Sequence, residues 1–129
     1  MKSEEAKTGV IGEEAAALFL KNIGYQIIKK NYRNSFGRIV GEIDIIAKDP
    51  ESQELVFVEV KTREYKMPEN SLPEENITPS KLRKMEKAAS AYLNDEKLSE
   101  ATYRFDAISV WLMKDSGQTK IRHLKSIFL

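Results

Sequence analysis

The stretch Leu55-Val-Phe-Val-Glu-Val-Lys61 constrains the fold more tightly than any other part of the chain. Side chains alternate faces along a strand, so Leu55, Phe57, Glu59 and Lys61 share one face and Val56, Val58 and Val60 share the other. Both faces begin apolar, and a strand of that kind is covered on both. Glu59 and Lys61 then stand as charges at the end of a buried strand. Leaving such a charge unpaired costs on the order of several kcal/mol, so an ion pair or a bound cation must compensate it.

The neighbouring segments supply the cover. Residues 4–23 read as a helix, with Ala16, Phe19, Leu20 and Ile23 at three- and four-residue steps, Gly24 as its stop, and Ser3 or Thr8 as N-cap. Residues 25–33 form a strand bounded by Gly24 and by Asn34-Ser-Phe-Gly37. The β-branched run at 39–48, the turn Asp49-Pro50-Glu-Ser and the strand from Leu55 make a hairpin. Residues 64–79 carry Pro68, Pro73 and Pro79 in a polar stretch long enough for a mobile loop beside a site.

Thr78-Pro79 opens a second helix to about Leu93, with Leu82, Met85, Ala89 and Tyr92 as its apolar stripe and Lys81, Arg83, Lys84 and Lys87 off it. Two further strands, at 103–112 and 119–128, flank the turn Asp115-Ser-Gly117. The order is α-β-β-β-α-β-β in one α/β domain spanning 1–129. Trp111, Phe105 and Phe128 read as core, and His123, between Arg122 and Lys125, as an exposed side chain without catalytic duty.

Composition narrows the chemistry. With no cysteine and a single histidine, disulfides, thiolate zinc sites, iron–sulfur clusters and histidine cages are excluded. Any metal must be held by oxygen, which favours Mg²⁺, Mn²⁺ or Ca²⁺. No apolar segment approaches a membrane span and the N-terminal residues carry no apolar leader, so a soluble cytoplasmic protein is expected. Twenty-one basic against twenty acidic residues give no global cationic field, so nucleic-acid binding would need a local patch.

In the preceding strand Glu42, Asp44 and Ile46 share one face, opposite Ile43, Ile45 and Ala47, and hairpin pairing can place Asp44 beside Glu59. Two carboxylates there repel unless one is protonated or a divalent cation lies between them. Spacing alone leaves a second reading equally open, in which Glu59–Lys61 is an ordinary sheet salt bridge and Asp44 its cross-strand partner.

The segments Gly12-Glu13-x-Ala-Ala, Gly24-Tyr25, Asn31-x-Arg33, Gly41-Glu-Ile-Asp-Ile-Ile-Ala47, Val56-Phe-Val-Glu-Val-Lys-Thr-Arg63, Lys81 and Arg104-Phe-Asp106 resemble the YraN-like (UPF0102) family over about residues 12–110. That family is similar in turn to the PD-(D/E)xK restriction-endonuclease-like and Holliday-junction-resolvase-like nucleases. The resemblance implies a three-layer sandwich, with a mixed central sheet of about five strands flanked by helices. It also implies a divalent-metal-dependent endonuclease that hydrolyses phosphodiester bonds of DNA, with a structure-selective, resolvase-like preference. Carried over by position, Asp44, Glu59, the Val60 carbonyl and Glu13 would hold Mg²⁺ or Mn²⁺. Lys61 would orient or deprotonate the attacking water. Glu13 borders the apolar stripe of its helix, whereas Glu14 points into solvent.

Ile43 stands where the name motif has proline, a position without chemistry. The 63–79 loop lacks the short Phe-Gly turn expected after the triplet, and residues 34–40 lengthen the approach to Gly41. Arg63, Lys66, Lys81 and Lys84 are candidates for phosphate contacts, each of which can equally be a solubilising charge. Glu42 is either a support to the carboxylates or a surface charge. The rival functions are a non-catalytic nucleic-acid-binding module that retains the nuclease fold, and a protein-interaction domain. Symmetric cutting of a junction would favour a homodimer.

Overall fold

Seven elements occur in the expected order: α1 (Glu4–Asn22), β1 (Gln26–Phe36), β2 (Ile39–Lys48), β3 (Leu55–Glu64), α2 (Pro79–Asp95), β4 (Tyr103–Leu112) and β5 (Thr119–Leu124). This computed structural model describes residues 4–36, 39–64, 78–113 and 116–127. Ser3, Asp115, Phe128 and the body of the 64–79 loop, Lys66 included, lie outside the described residues. α1 begins at Glu4, which removes Thr8 as its N-cap. Among the described residues no helix is long and apolar enough to cross a membrane.

The strands lie side by side in chain order, β1-β2-β3-β4-β5. β3 and β4 are parallel and the other pairs antiparallel. α2 is the crossover between the parallel strands, as such a pair requires. Val56, Val58 and Val60 meet Ala16, Ala17 and Leu20 of α1 on one face. Leu55 and Phe57 meet Met85, Ala88, Ala89 and Tyr92 of α2 on the other. The doubly apolar strand is thus the middle of a three-layer sandwich, as read from its alternation.

Where details depart from expectation, local contacts explain them. β1 runs on to Phe36 and pairs Asn34 with Gly41 and Phe36 with Ile39, so the extra residues before Gly41 extend the β1–β2 hairpin instead of forming a loop. Ile23 is exposed at 47% because α1 ends at Asn22 and the chain turns at Gly24, φ 96°. Strict alternation fails in β2: Ile43 joins Ile46 in the α2-side cluster instead of facing α1. The ladder to β3 stops at Ile45–Val58, and opposite Asp44 on β1 stands Asn31 with φ 55°. α2 opens as read, with Thr78 as N-cap and Pro79 in the first turn, but extends to Asp95.

Gly41 shows how closely the layers approach. A Cβ built there would lie 2.8 Å from the Ala88 amide nitrogen of α2, a contact with backbone that cannot swing aside. Gly41→Ala is therefore expected to cost about 1–3 kcal/mol, the usual penalty for overpacking. A urea midpoint equal to the parent's would refute the close approach.

Toward the Leu55 end of β3 a second charged group is buried. Arg104 donates to Asp106 through Nε (3.0 Å) and Nη2 (3.2 Å), to Asp49 (2.8 Å) and Glu54 (3.1 Å) through Nη1, and to the Tyr25 hydroxyl (2.9 Å). Asp106, 0% exposed, also accepts the Ser126 N–H at 2.9 Å and lies 2.8 Å from His123 Nε2. His123 is thus not the exposed side chain expected. Its ring is 7% exposed, edge-on to Phe19 and Tyr25, because β5 pairs beside Asp106 and Asp106 needs the partner. Phe105 and Trp111 are core, as read.

Burial alone would raise Asp49 and Asp106, but it is outweighed. The Glu51 N–H and Arg104 hold Asp49 well below the usual carboxylate range, and His123 and Arg104 hold Asp106 down. A carboxyl lowered in the folded state contributes stability that is complete above its unfolded pKa of about 4 and is lost as pH falls toward the folded value. Denaturant midpoints should hence drop between about pH 4 and pH 2. A profile flat over that interval would count against the network.

Candidate active site

β2, β3, α1 and α2 converge on an open cleft of about 470 Å³, lined by Gly9, Glu13, Glu42, Asp44, Glu59, Lys61, Lys81 and Lys84 among others. The cleft exists because β2 and β3 part company. Their ladder ends at Ile45–Val58, and the next free N–H, that of Val60, is taken by Asp44 Oδ2 at 2.7 Å. The register, carried one step further, puts Asp44 opposite Glu59, as expected of the hairpin, and each carboxyl group acts on the proton affinity of the other.

Glu13 enters from α1. A Cβ on the preceding Gly12 would fall 1.7 Å from Thr62 Oγ1, so only glycine lets this turn of the helix sit on β3 and deliver Glu13 to the cleft. The Glu13 carboxyl is close enough to Asn31 and Asp44 for both to act on its proton affinity. Glu14 is exposed, as the helical phase predicts. From α2, the Lys81 ammonium pairs with Glu59 Oε1.

Burial raises the pKa of Asp44, and Glu13 adds to the rise against the pull of the Val60 N–H. Burial also raises Glu59, with the Asp44 charge reinforcing it and Lys81 opposing it. Glu13 is raised in turn, mainly by burial. Of the cleft lysines only Lys81 pairs with one of these three carboxyl groups, so their mutual repulsion is only partly compensated. A divalent cation would complete the compensation.

The donor set fits a hard cation. The carboxyl groups run in a chain, Glu13 to Asp44 to Glu59, and among the described residues no three acidic or histidine side chains close around one point by themselves. Asp44 and Glu59, with a main-chain carbonyl such as that of Val60, would offer oxygen ligands of the kind Mg²⁺ or Mn²⁺ takes alongside retained waters, with Glu13 nearby.

Of the other residues singled out in the sequence, Lys61 and Lys84 line the cleft. Arg63, further along β3 and paired in register with Trp111, is not among the lining residues. Glu42 reaches the rim, where its exposed carboxylate pairs with Arg33 at 3.2 Å. Glu59 takes its ion-pair partner from α2 and not from Lys61, two residues along its own strand. Asn31 was in the family-like motif without a role. Its left-handed φ of 55° in the middle of an edge strand, and its influence on Glu13, bring it next to the site. The only sequence signal for this is that asparagine tolerates that conformation better than most residues.

The sequence profile of the uncharacterised protein family UPF0102 matches residues 12–110. A UPF0102 protein of Geotalea daltonii is 39% identical over 98% of this chain and 93% of its own length. One from Pelobacter propionicus is 38% identical over 98% and 86%. Among solved structures, the crystal structure of SSO0001 superposes with a TM-score of 0.43 at 16% identity, over 96% of this chain and 53% of that one, so the chain spans about half of that protein. With the profile covering the cleft residues from Glu13 to Lys84, and relatives aligned along nearly the whole length, the chain belongs to the UPF0102 family.

Proposed function

We propose that this protein is a divalent-metal-dependent endonuclease that hydrolyses phosphodiester bonds of DNA. The observation that carries the reading is the juxtaposition of half-buried Asp44 and buried Glu59 in a cleft that Lys61, Lys81 and Lys84 also line. Acidic floor and basic walls suit a phosphodiester only when a cation stands between them, because a phosphate would otherwise be repelled by the carboxylates.

Asp44 and Glu59 would hold Mg²⁺ or Mn²⁺, which when bound neutralises the scissile phosphate and lowers the pKa of a water. The Val60 N–H fixes the Asp44 rotamer. Lys61, on the cleft face beyond Glu59, would orient the attacking water and offset negative charge growing on the phosphate. Lys84 and the other lysines would contact flanking phosphates without regard to sequence. Symmetric cutting of a four-way junction would call for a two-fold homodimer.

The test is a panel of labelled linear, single-stranded, flapped and four-way-junction DNA, incubated with Mg²⁺, Mn²⁺ or chelator. Cleavage that requires metal and Asp44 establishes the activity and identifies the preferred structure. Salt-dependent binding without cleavage turns the reading to a non-catalytic nucleic-acid-binding module.

A further inference from the structure

Lys81 occupies an unfavourable place for a cation. It lies in the first turn of α2, where its own N–H is held by Thr78 Oγ1 at 3.1 Å, and that turn contains no acidic residue. The positive end of the helix dipole disfavours an ammonium there. What holds it is the carboxylate of Glu59 across the cleft. The two partners differ in access to water: the Lys81 side chain is 37% exposed and that of Glu59 only 9%. The lysine can leave; the carboxylate cannot.

We propose that Lys81 is a built-in counter-ion, seated on Glu59 in place of a divalent cation and displaced when the cation binds, which frees its ammonium for a substrate phosphate. The inference rests on the metal-dependent reading of the same carboxylates. Glu59 cannot give full charge to both, and an ammonium at hydrogen-bond distance repels a cation on the same carboxyl group. Because the Thr78 cap anchors the Lys81 backbone, the exchange needs only rotation about side-chain bonds. Metal binding and phosphate binding are then linked: the cation adds its own charge to the cleft and releases a second one.

Calorimetric titration of the full chain with Mn²⁺ tests this, comparing the parent with Lys81→Met, Lys84→Met and Asp44→Asn. Lys81→Met keeps the length of the stem and removes the competitor, so it should bind Mn²⁺ about 1.5- to fivefold more tightly, the range of a partly exposed ion pair. Lys84→Met, which removes a lysine of the same cleft, should change the affinity less. In chelator Lys81→Met should melt below the parent, and saturating Mn²⁺ should close that gap. Equal or weaker Mn²⁺ binding by Lys81→Met, with binding lost in Asp44→Asn, overturns the counter-ion role and leaves the metal site standing. Titrations of parent and Asp44→Asn that are alike in showing no Mn²⁺ binding overturn both. Lys81→Gln gives the same comparison if the methionine variant does not fold.

Discussion

Asp44→Asn is expected to abolish metal-dependent cleavage while melting above the parent in chelator. Asp44 is the central member of the carboxyl chain, touching both Glu13 and Glu59, so its removal takes a ligand from any bound cation. Loss of partners one shell further out commonly costs 10- to 100-fold, so loss of this oxygen should lower cleavage by at least about a hundredfold. Stability should move the other way. The asparagine oxygen still accepts the Val60 N–H, and its amide donates to a neighbouring carboxylate where Asp44 repels it. Relief of about 1 kcal/mol corresponds to a rise of roughly 2–8 °C for a domain of this size.

Asp44→Ala should be equally inactive yet less stable, because it leaves the Val60 N–H unmatched at a cost of about 1–3 kcal/mol. The two variants thus separate chemistry from support. Undiminished cleavage by Asp44→Asn would remove Asp44 from the site. Equal stability losses in both would make it a purely structural cap of the β2–β3 junction.

Arg104→Ala should be the most damaging single change in the fold. The guanidinium side chain, 11% exposed, faces Asp49, Glu54 and Asp106, and Asp106 is fully buried. Breaking a buried pair from one side leaves an uncompensated charge, and costs about 3–5 kcal/mol. Against a total of about 5–15 kcal/mol for a domain, that is a large share. Chemical denaturation reads it directly, and Asp106→Asn on top of Arg104→Ala should recover part of the loss, since the stranded charge is then gone. A double variant no more stable than the single one would show that the damage comes from lost packing of the arginine stem.

These two expectations also mark how far the sequence could be read. Period-two alternation gave β3 its two apolar faces, Thr78-Pro79 marked the start of α2, and the hairpin arithmetic put Asp44 against Glu59. All of these depend on near neighbours. The Arg104 network does not: Arg104 reaches Asp49 across 55 residues and Tyr25 across 79, and no local pattern announces such a partner. His123 looked solvent-facing because Arg122 and Lys125 flank it, while the residue it serves lies on the strand beside it. Lys81 stood out only as one of several lysines on one helix. That it turns inward to Glu59 follows from how α2 is laid across the sheet, which periodicity cannot supply. Ile43 departed from its assigned face because alternation assumes an unbroken ladder, and the ladder breaks where the cleft begins.

The chain-order sheet has a kinetic consequence. β1, β2 and β3 form a meander closed by neighbouring residues, and only the β3–β4 pairing must wait for a long crossover through α2. Loop-closure entropy makes local pairings the faster ones, so Asp44 and Glu59 are brought face to face in the part of the molecule that can assemble first. Lys81 arrives with the slower half. During folding the carboxylates therefore meet before their lysine does.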